Sequence, residues 1–174
     1  MYLSRPVVGV LPDGYAGPLG GAGLSNVLVA VTADLTGDEV TVLPVVLCVT
    51  DFGRGQARAF VAACGAGERR LRPSASLGLE ASRLVAPFAR ATGWGGRCHA
   101  LMSPRATVGQ AVRSAGAALA TGAGAVAVCE VRAADQGYAT AAVLIRRTDP
   151  GTGYRTVPAP DDDADLVSLW RCAG

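Results

Sequence analysis

The sequence contains no lysine, and all sixteen of its basic residues are arginines. Basic and acidic residues nearly balance, 16 against 14, and the net charge of +2 is too small to indicate a nucleic-acid or membrane partner. No apolar run reaches the ~18 residues that a membrane-spanning helix needs. Residues 1–14 also lack the basic and then apolar pattern of a secretory signal. These absences predict a cytoplasmic protein that binds neither nucleic acid nor membrane.

The five cysteines do not form any familiar motif. They are widely spaced, their number is odd, and no C-x-x-C occurs. A disulfide framework or a zinc site would need paired or closely spaced ligands. The sequence therefore predicts free thiols that pack as small apolar residues, with no metal and no cofactor. The cysteines are Cys48, Cys64, Cys98, Cys129 and Cys172.

Half of the residues are hydrophobic and 23 are glycines, which indicates a closely packed fold. A chain of 174 residues fits one domain, and such a domain buries about two-thirds of the surface that its unfolded chain exposes. We expect the domain to span residues 1–150. The acidic stretch 151–174 is then a C-terminal extension that packs back on it.

The pattern of the first fifty residues favours strands. Val7–Leu11 and the β-branched run Asn26–Thr32 are predicted strands, and Val40–Thr50 is a second β-prone run. The last two could form a hairpin across residues 33–39. Pro44 cannot donate a main-chain hydrogen bond to a neighbouring strand, so the start of the second run is predicted as an edge or a bulge. The regular strand is predicted over Val45–Val49.

Helices and strands alternate from residue 56 onwards. Helices are predicted over 56–64, 77–92 and 107–121, and Pro87 should kink or split the second of them. Strands are predicted over 97–102, 125–131 and 138–146. The first is expected to be short and buried, and the other two are expected to be antiparallel neighbours. This alternation predicts an α/β domain with a mixed sheet packed with helices.

The run Gly93–Ala115 reads GWGGRCHALMSPRATVGQAVRSA. It resembles the segment of β-ketoacyl synthases in which a buried strand ends at an elbow before a helix of small residues. Neighbouring elements lie in matching order over about residues 45–131. The resemblance implies a truncated synthase, the amino-terminal half only, with a single thiolase-like half-domain. Since full-length synthases are dimers of double halves, it also implies a homodimer or a complex with a ketosynthase or an acyl carrier protein.

The chain departs from this family at the elbow. Where condensing enzymes carry a nucleophilic cysteine, the matching residues here are Ser103-Pro104-Arg105. Arginine stays protonated and is not a nucleophile. The only histidine, His99, matches none of the family's catalytic positions, so the catalytic histidine pair is missing as well. The resemblance therefore implies a protein that does not condense acyl chains.

Arg105 at the start of a helix has two interpretations. The positive end of a helix disfavours a cation unless an anion lies between the two. The first interpretation is therefore an anion or acyl-binding site, and the second is an ion pair with Asp51 or Glu130 that fills a vestigial pocket. The anion site would consist of Arg105 and the N–H groups of Ala106, Thr107 and Val108.

The remaining constellations are weaker. Ser103 and His99 are candidates for a nucleophile and its base. However, they lie four residues apart along a strand, which separates them by about 13 Å. The basic loop of Arg69, Arg70 and Arg72 could contact an acidic carrier protein, or it could simply be solvated. The acidic run Asp161–Asp163 with Asp165 lacks the spacing of a calcium loop and predicts a solvated segment.

Three functions remain open. The first is a non-condensing ketosynthase-like accessory protein, a pseudoenzyme of bacterial type II polyketide or polyene biosynthesis in secondary metabolism. It would bind an acyl carrier protein, a ketosynthase or an acyl chain. The second is an enzyme for dehydration, isomerisation or cyclisation, with Arg105 binding an oxyanion and Asp51, His99 or Tyr138 moving protons. The third is a small-molecule binding module.

Overall fold

A computed structural model describes residues 1–11, 22–50, 52–65, 80–102, 107–134, 137–159 and 164–173. The strands are β1 (Tyr2–Ser4), β2 (Val7–Leu11), β3 (Val45–Val49), β4 (Cys98–Met102), β5 (Ala125–Ala134), β6 (Gly137–Arg146) and β7 (Tyr154–Thr156). The α-helices are α1 (Ala22–Val31), α2 (Gly37–Val42), α3 (Phe52–Gly65), α4 (Ala86–Thr92), α5 (Val108–Ala120) and α6 (Leu166–Cys172), and a 3₁₀ helix spans Ala81–Val85.

The described strands form one mixed sheet in the order β4-β3-β5-β6-β1-β7, and β2 also pairs with β6. The β3–β4 and β3–β5 pairs are parallel, whereas β6 is antiparallel to β5, β2 and β1. The strand β1 lies between β6 and β7, and the Ser4 hydroxyl accepts a hydrogen bond from the Leu144 N–H at 2.8 Å. The expected mixed α/β sheet is therefore confirmed.

The sheet has an apolar core on each face. On one face β3, β5 and β6 pack against α1, the 3₁₀ helix and α4, with Phe88 and Leu28 fully buried. On the other face they pack against α5 and α6, with Ala111 and Leu166 fully buried. The two-sided burial explains why β3 is a continuous apolar run rather than an alternating one.

The prediction of a strand over 26–32 was wrong, because this segment lies in α1. Four residues at helical spacing point into the core, namely Leu24, Val27, Leu28 and Val31. The outward residue Val29 is apolar as well and 44% exposed, which hides the helical period inside a continuous apolar run. The predicted hairpin across 33–39 is absent, since α2 begins there.

Local signals define several boundaries. Thr36 and Glu39 form a capping box that starts α2, and Thr107 and Gln110 form another that starts α5. Pro87 lies in the first turn of α4, directly after the 3₁₀ helix, so the predicted split at this proline is confirmed. Gly93 ends α4 with a φ of 71°, a conformation that favours glycine.

The expected strands β2 and β3 are confirmed with their predicted bounds, and β5 and β6 are antiparallel neighbours as expected. The predicted buried strand over 97–102 is present as β4, but it is not buried. It lies at the edge of the sheet, where His99 and Ala100 are exposed. The apolar segment after the acidic run is the helix α6, which buries Leu166 and Leu169 against the sheet.

Candidate functional site

The start of α5 is the position at which the resemblance would place a nucleophile. Thr107 caps the helix, its N–H donates to Gln110 Oε1 at 3.3 Å, and its hydroxyl accepts from the Gln110 N–H at 3.1 Å. The Val108 side chain is buried. The Thr107 N–H is one of the groups of the predicted anion site, and it already donates to the Gln110 side chain. Ser103, Arg105 and Ala106 lie outside the described residues, so the anion site remains a prediction.

The predicted proton-moving residues do not converge. His99 is exposed on β4 and pairs in register with Val46, a residue of the α5 face. Tyr138 lies at the start of β6 and packs against the core of the opposite face. Three strand spacings separate β4 from β6, about 14 Å. His99 and Tyr138 therefore cannot serve one reaction centre, and Asp51 lies outside the described residues.

No thiol of this chain is placed as the nucleophile of a condensing enzyme would be. Burial raises the pKa of Cys48 to about 11, with the nearby Glu130 carboxylate adding to the shift, and burial also raises the pKa of Cys98. Cys129 is fully buried, and burial raises its pKa still further. Cys64 and Cys172 are exposed, but they lie at the ends of α3 and α6.

Glu130 is a buried carboxylate that sequence reasoning considered only as an ion-pair partner. It lies on the α5 face of β5 and accepts a hydrogen bond from the Leu166 N–H at 3.1 Å. Next to it, Arg132 pairs with Asp165 at 2.8 Å, and Asp165 caps α6 by accepting from the Ser168 N–H. Asp165 is thus a structural residue rather than part of a solvated run. Residues 161–163 lie outside the described part of the chain.

The carboxyl group of Glu130 gives the protein a pH-dependent stability. Burial raises its pKa above the ordinary value of 4.5, and Asp165 adds to this, while the Leu166 N–H and Arg132 oppose it. The folded protein therefore holds this proton to higher pH than the unfolded chain, so stability falls as the pH rises from about 4.5 through the raised pKa. Glu130→Gln should flatten this fall.

The measurement is urea unfolding of wild type and Glu130→Gln at several pH values from 4 to 8. We expect the stability of the variant relative to wild type to increase with pH. Burial alone would raise the pKa of Asp165, but its hydrogen bonds with Ser168 and the Arg132 guanidinium lower it below its ordinary value. Asp165 is therefore largely ionised in both folded proteins over this range, and the change of the difference with pH reports on Glu130. A difference that stays constant across this range would contradict a raised pKa for Glu130.

The open edge of β4 and the groove beside it form the candidate site of this fold. The groove lies between β4 and α5 and has a volume of about 1060 Å³. Its lining is mostly small or apolar, including Leu43, Ala117 and Ala118, and it also includes Arg97 and His99. Sequence reasoning missed this site, because a strand flanked by glycines and helices gives no local sign of being at an edge.

The arginines of the predicted partner loop, Arg69, Arg70 and Arg72, lie outside the described residues. Within the part of the chain that the structure describes, no cluster of histidine, cysteine or acidic residues could hold a metal ion. Among the same residues, no helix is long and apolar enough to cross a membrane.

The fold is similar to that of a ketosynthase complex. One chain in the structure of the ketosynthase ApeO with its chain length factor ApeC from Xenorhabdus doucetiae matches with a TM-score of 0.59 and 8% sequence identity. The match covers 72% of this chain and 56% of that one, so this protein spans about half the length of its structural neighbour. No family model and no curated protein matches the sequence. The chain thus has a thiolase-like α/β fold similar to that of this ketosynthase structure.

Proposed function

We propose that this protein is a non-condensing accessory chain of acyl-chain assembly, in a bacterial type II polyketide or polyene pathway. It would act by binding a ketosynthase, an acyl carrier protein or the acyl chain. The observation that carries the proposal is a ketosynthase-type fold without a usable thiol at the start of α5. Residues 103–110 contain no cysteine, and the thiols of β3, β4 and β5 have raised pKa values.

The outward face of α5 supports a binding role. Its inner face packs on the sheet, whereas Gln110, Arg113 and Ala117 are exposed. No acidic residue occurs in the thirteen residues of this helix. Acyl carrier proteins are acidic, and a helix face without carboxylates of its own does not repel them.

The test is to measure complex formation with a holo-acyl carrier protein and a ketosynthase–chain length factor pair of the same organism. Light scattering should show an increase in mass on mixing with one of them, and titration should give a dissociation constant. Arg113→Glu should weaken binding of the carrier protein at least tenfold, because it places a carboxylate on the exposed face of α5 that would repel an acidic protein. The matched control is Arg83→Glu, which changes an exposed arginine of the 3₁₀ helix on the opposite face of the sheet.

Two results would contradict the proposal. One is the absence of binding to both proteins at concentrations of about 100 μM, which would leave a binding free energy weaker than about −5.5 kcal/mol. The other is turnover of a carrier-bound acyl substrate by the isolated chain, which would favour the enzymatic alternative. Equal weakening by Arg113→Glu and Arg83→Glu would leave the role intact but exclude α5 as the binding face.

A further inference from the structure

The groove between β4 and α5 extends from the end of the sheet that is opposite to the start of α5. The parallel strands β3, β4 and β5 begin at Val45, Cys98 and Ala125, and residues directly before each of them line the groove. The lining takes residues of α5 from Ser114 onwards, in the second half of this helix. The resemblance places the nucleophile of condensing enzymes at the start of α5, so a ligand in this groove would occupy a different site.

The side chains that line the groove along β4 change from basic to apolar. His99 pairs in register with Val46 and Leu101 with Cys48, two residues of the core beneath α5, so both lie on the α5 side of the sheet. Arg97 directly precedes β4 and lines the same groove. The groove therefore has a basic end at Arg97 and an apolar end at Leu101. Opposite them lie small side chains of α5, namely Ser114, Ala117 and Ala118.

The guanidinium of Arg97 is available to a ligand. Within the described residues it takes part in no ion pair, and its side chain is exposed. The carboxylate among the described lining residues, that of Glu39, already accepts from the Thr36 N–H at 2.8 Å at the start of α2. Arginine binds a carboxylate through paired N–H donors, and His99 can supply another N–H two residues further along β4. The basic end of the groove thus fits one carboxylate.

The length of the groove indicates the size of the ligand. Arg97 and Leu101 lie four residues apart along the chain, which in a strand corresponds to about 13 Å. A C–C bond of about 1.5 Å advances an extended alkyl chain by about 1.3 Å, so this distance matches a chain of about ten carbons. The volume of about 1060 Å³ lies at the upper end of the range for small-molecule sites, roughly 300–1,000 Å³, and accommodates such a chain.

We propose that this groove binds a free aliphatic carboxylic acid of about ten carbons, with its carboxylate on Arg97 and its alkyl chain along Leu101 and the small side chains of α5. A chain held as a thioester on a carrier has no free carboxylate, so the groove selects released acids. This assignment goes beyond the proposed function, which concerns chains under assembly and the proteins that hold them. It is tested with the isolated chain and small molecules, so its failure and that of the proposed function are distinguishable.

The first experiment compares decanoate with three probes by isothermal titration calorimetry of the isolated chain. Decan-1-ol lacks the carboxylate, hexanoate lacks four methylenes, and the N-acetylcysteamine thioester of decanoic acid carries a thioester instead of the carboxylate. Each buried methylene contributes about fourfold to the affinity. We expect decanoate to bind at least about tenfold more tightly than each of the three probes.

The second experiment locates the bound acid with two variants. Arg97→Gln removes the charge and should weaken decanoate binding at least about tenfold, while binding of decan-1-ol stays unchanged. Ala117→Phe fills the groove and should weaken both ligands. The matched controls are Arg83→Gln on the 3₁₀ helix and Ala120→Phe, an exposed residue of α5 outside the groove lining. Circular dichroism melts report whether each variant folds, and where Ala117→Phe does not, Arg97→Gln decides alone.

Several outcomes would overturn the proposal. No binding of decanoate at about 1 mM excludes the site. Equal binding of decan-1-ol shows that the carboxylate is not recognised, and equal binding of the thioester assigns the groove to carrier-bound chains. Decanoate binding that neither Arg97→Gln nor Ala117→Phe changes places the acid elsewhere on the chain. A chain that binds no acid but loses self-association in Ala117→Phe has a second copy in the groove instead.

Discussion

Phe88→Ala is expected to lower the free energy of unfolding by about 3–5 kcal/mol, the usual cost of removing a buried phenylalanine side chain. Phe88 is fully buried between the sheet and the helices of its face, where α4 contacts α1. Its ring also packs on Trp94 with a centroid distance of 6.0 Å, and Trp94 donates to the Leu43 carbonyl at 2.7 Å. The contact between Phe88 and Trp94 thus connects α4 with the segment that leads into β4.

Urea unfolding followed by circular dichroism measures this effect. For a chain of this size the loss corresponds to a melting temperature lower by roughly 10 °C. Val61→Ala is the control, because Val61 is 67% exposed on α3 and its truncation should cost no more than about 0.5 kcal/mol. A loss below about 1 kcal/mol for Phe88→Ala would show that this face of the core is not closely packed.

Leu169→Ala is expected to lower the free energy of unfolding by about 2–5 kcal/mol. Leu169 is 2% exposed and packs with Leu166 on the α5 face of the sheet. A helix of seven residues is not stable in water by itself, so α6 depends on this packing and on its polar contacts. Arg155 supplies one such contact, donating to the Trp170 and Ala173 carbonyls at 3.2 Å each.

The same unfolding measurement tests Leu169→Ala, with Arg171→Ala, an exposed residue of the same helix, as its control. Hydrogen exchange of the α6 amides adds a local readout. If α6 unfolds together with the rest of the domain, Leu169→Ala lowers the global free energy of unfolding. Arg171→Ala then changes that free energy by no more than about 0.5 kcal/mol. Rapid exchange in α6 with unchanged global stability would instead show that the helix is a separately opening element.

The elements that could be predicted from the sequence are those whose residue pattern fits only one type of secondary structure. The run at 45–49 is flanked by Pro44 and a polar turn and is too short for a buried helix, and β3 has those bounds. Thr107 and Gln110 form a capping box, and α5 starts there. The run at 26–32 was ambiguous between a helix and a strand. Val29 is apolar although it lies on the outward face of the helix, so the helical spacing of apolar residues is hidden in a continuous run.

The candidate site was less predictable, since it depends on which strand lies at the edge. Nothing local to Cys98–Met102 distinguishes an edge strand from a central one, as its apolar content resembles that of β3. The position follows from the pairing of β3 with β5, residues about 80 apart in the chain. Glu130 could have been suspected from an acid inside an apolar strand, but its partner, the N–H of Leu166, is visible only in the folded chain.

The placement of β1 has a consequence for how the protein matures. Among the described strands, Tyr2–Ser4 pair with β6 and β7, and the Met1 carbonyl accepts from the Val157 N–H at 3.0 Å. The residues of β1 therefore wait for partners that are synthesised about 140 residues later. Contacts of such long range slow folding and leave apolar strands exposed in the meantime. The sheet would thus be completed only after β7 has been synthesised, and the need for chaperones would be greatest before that point.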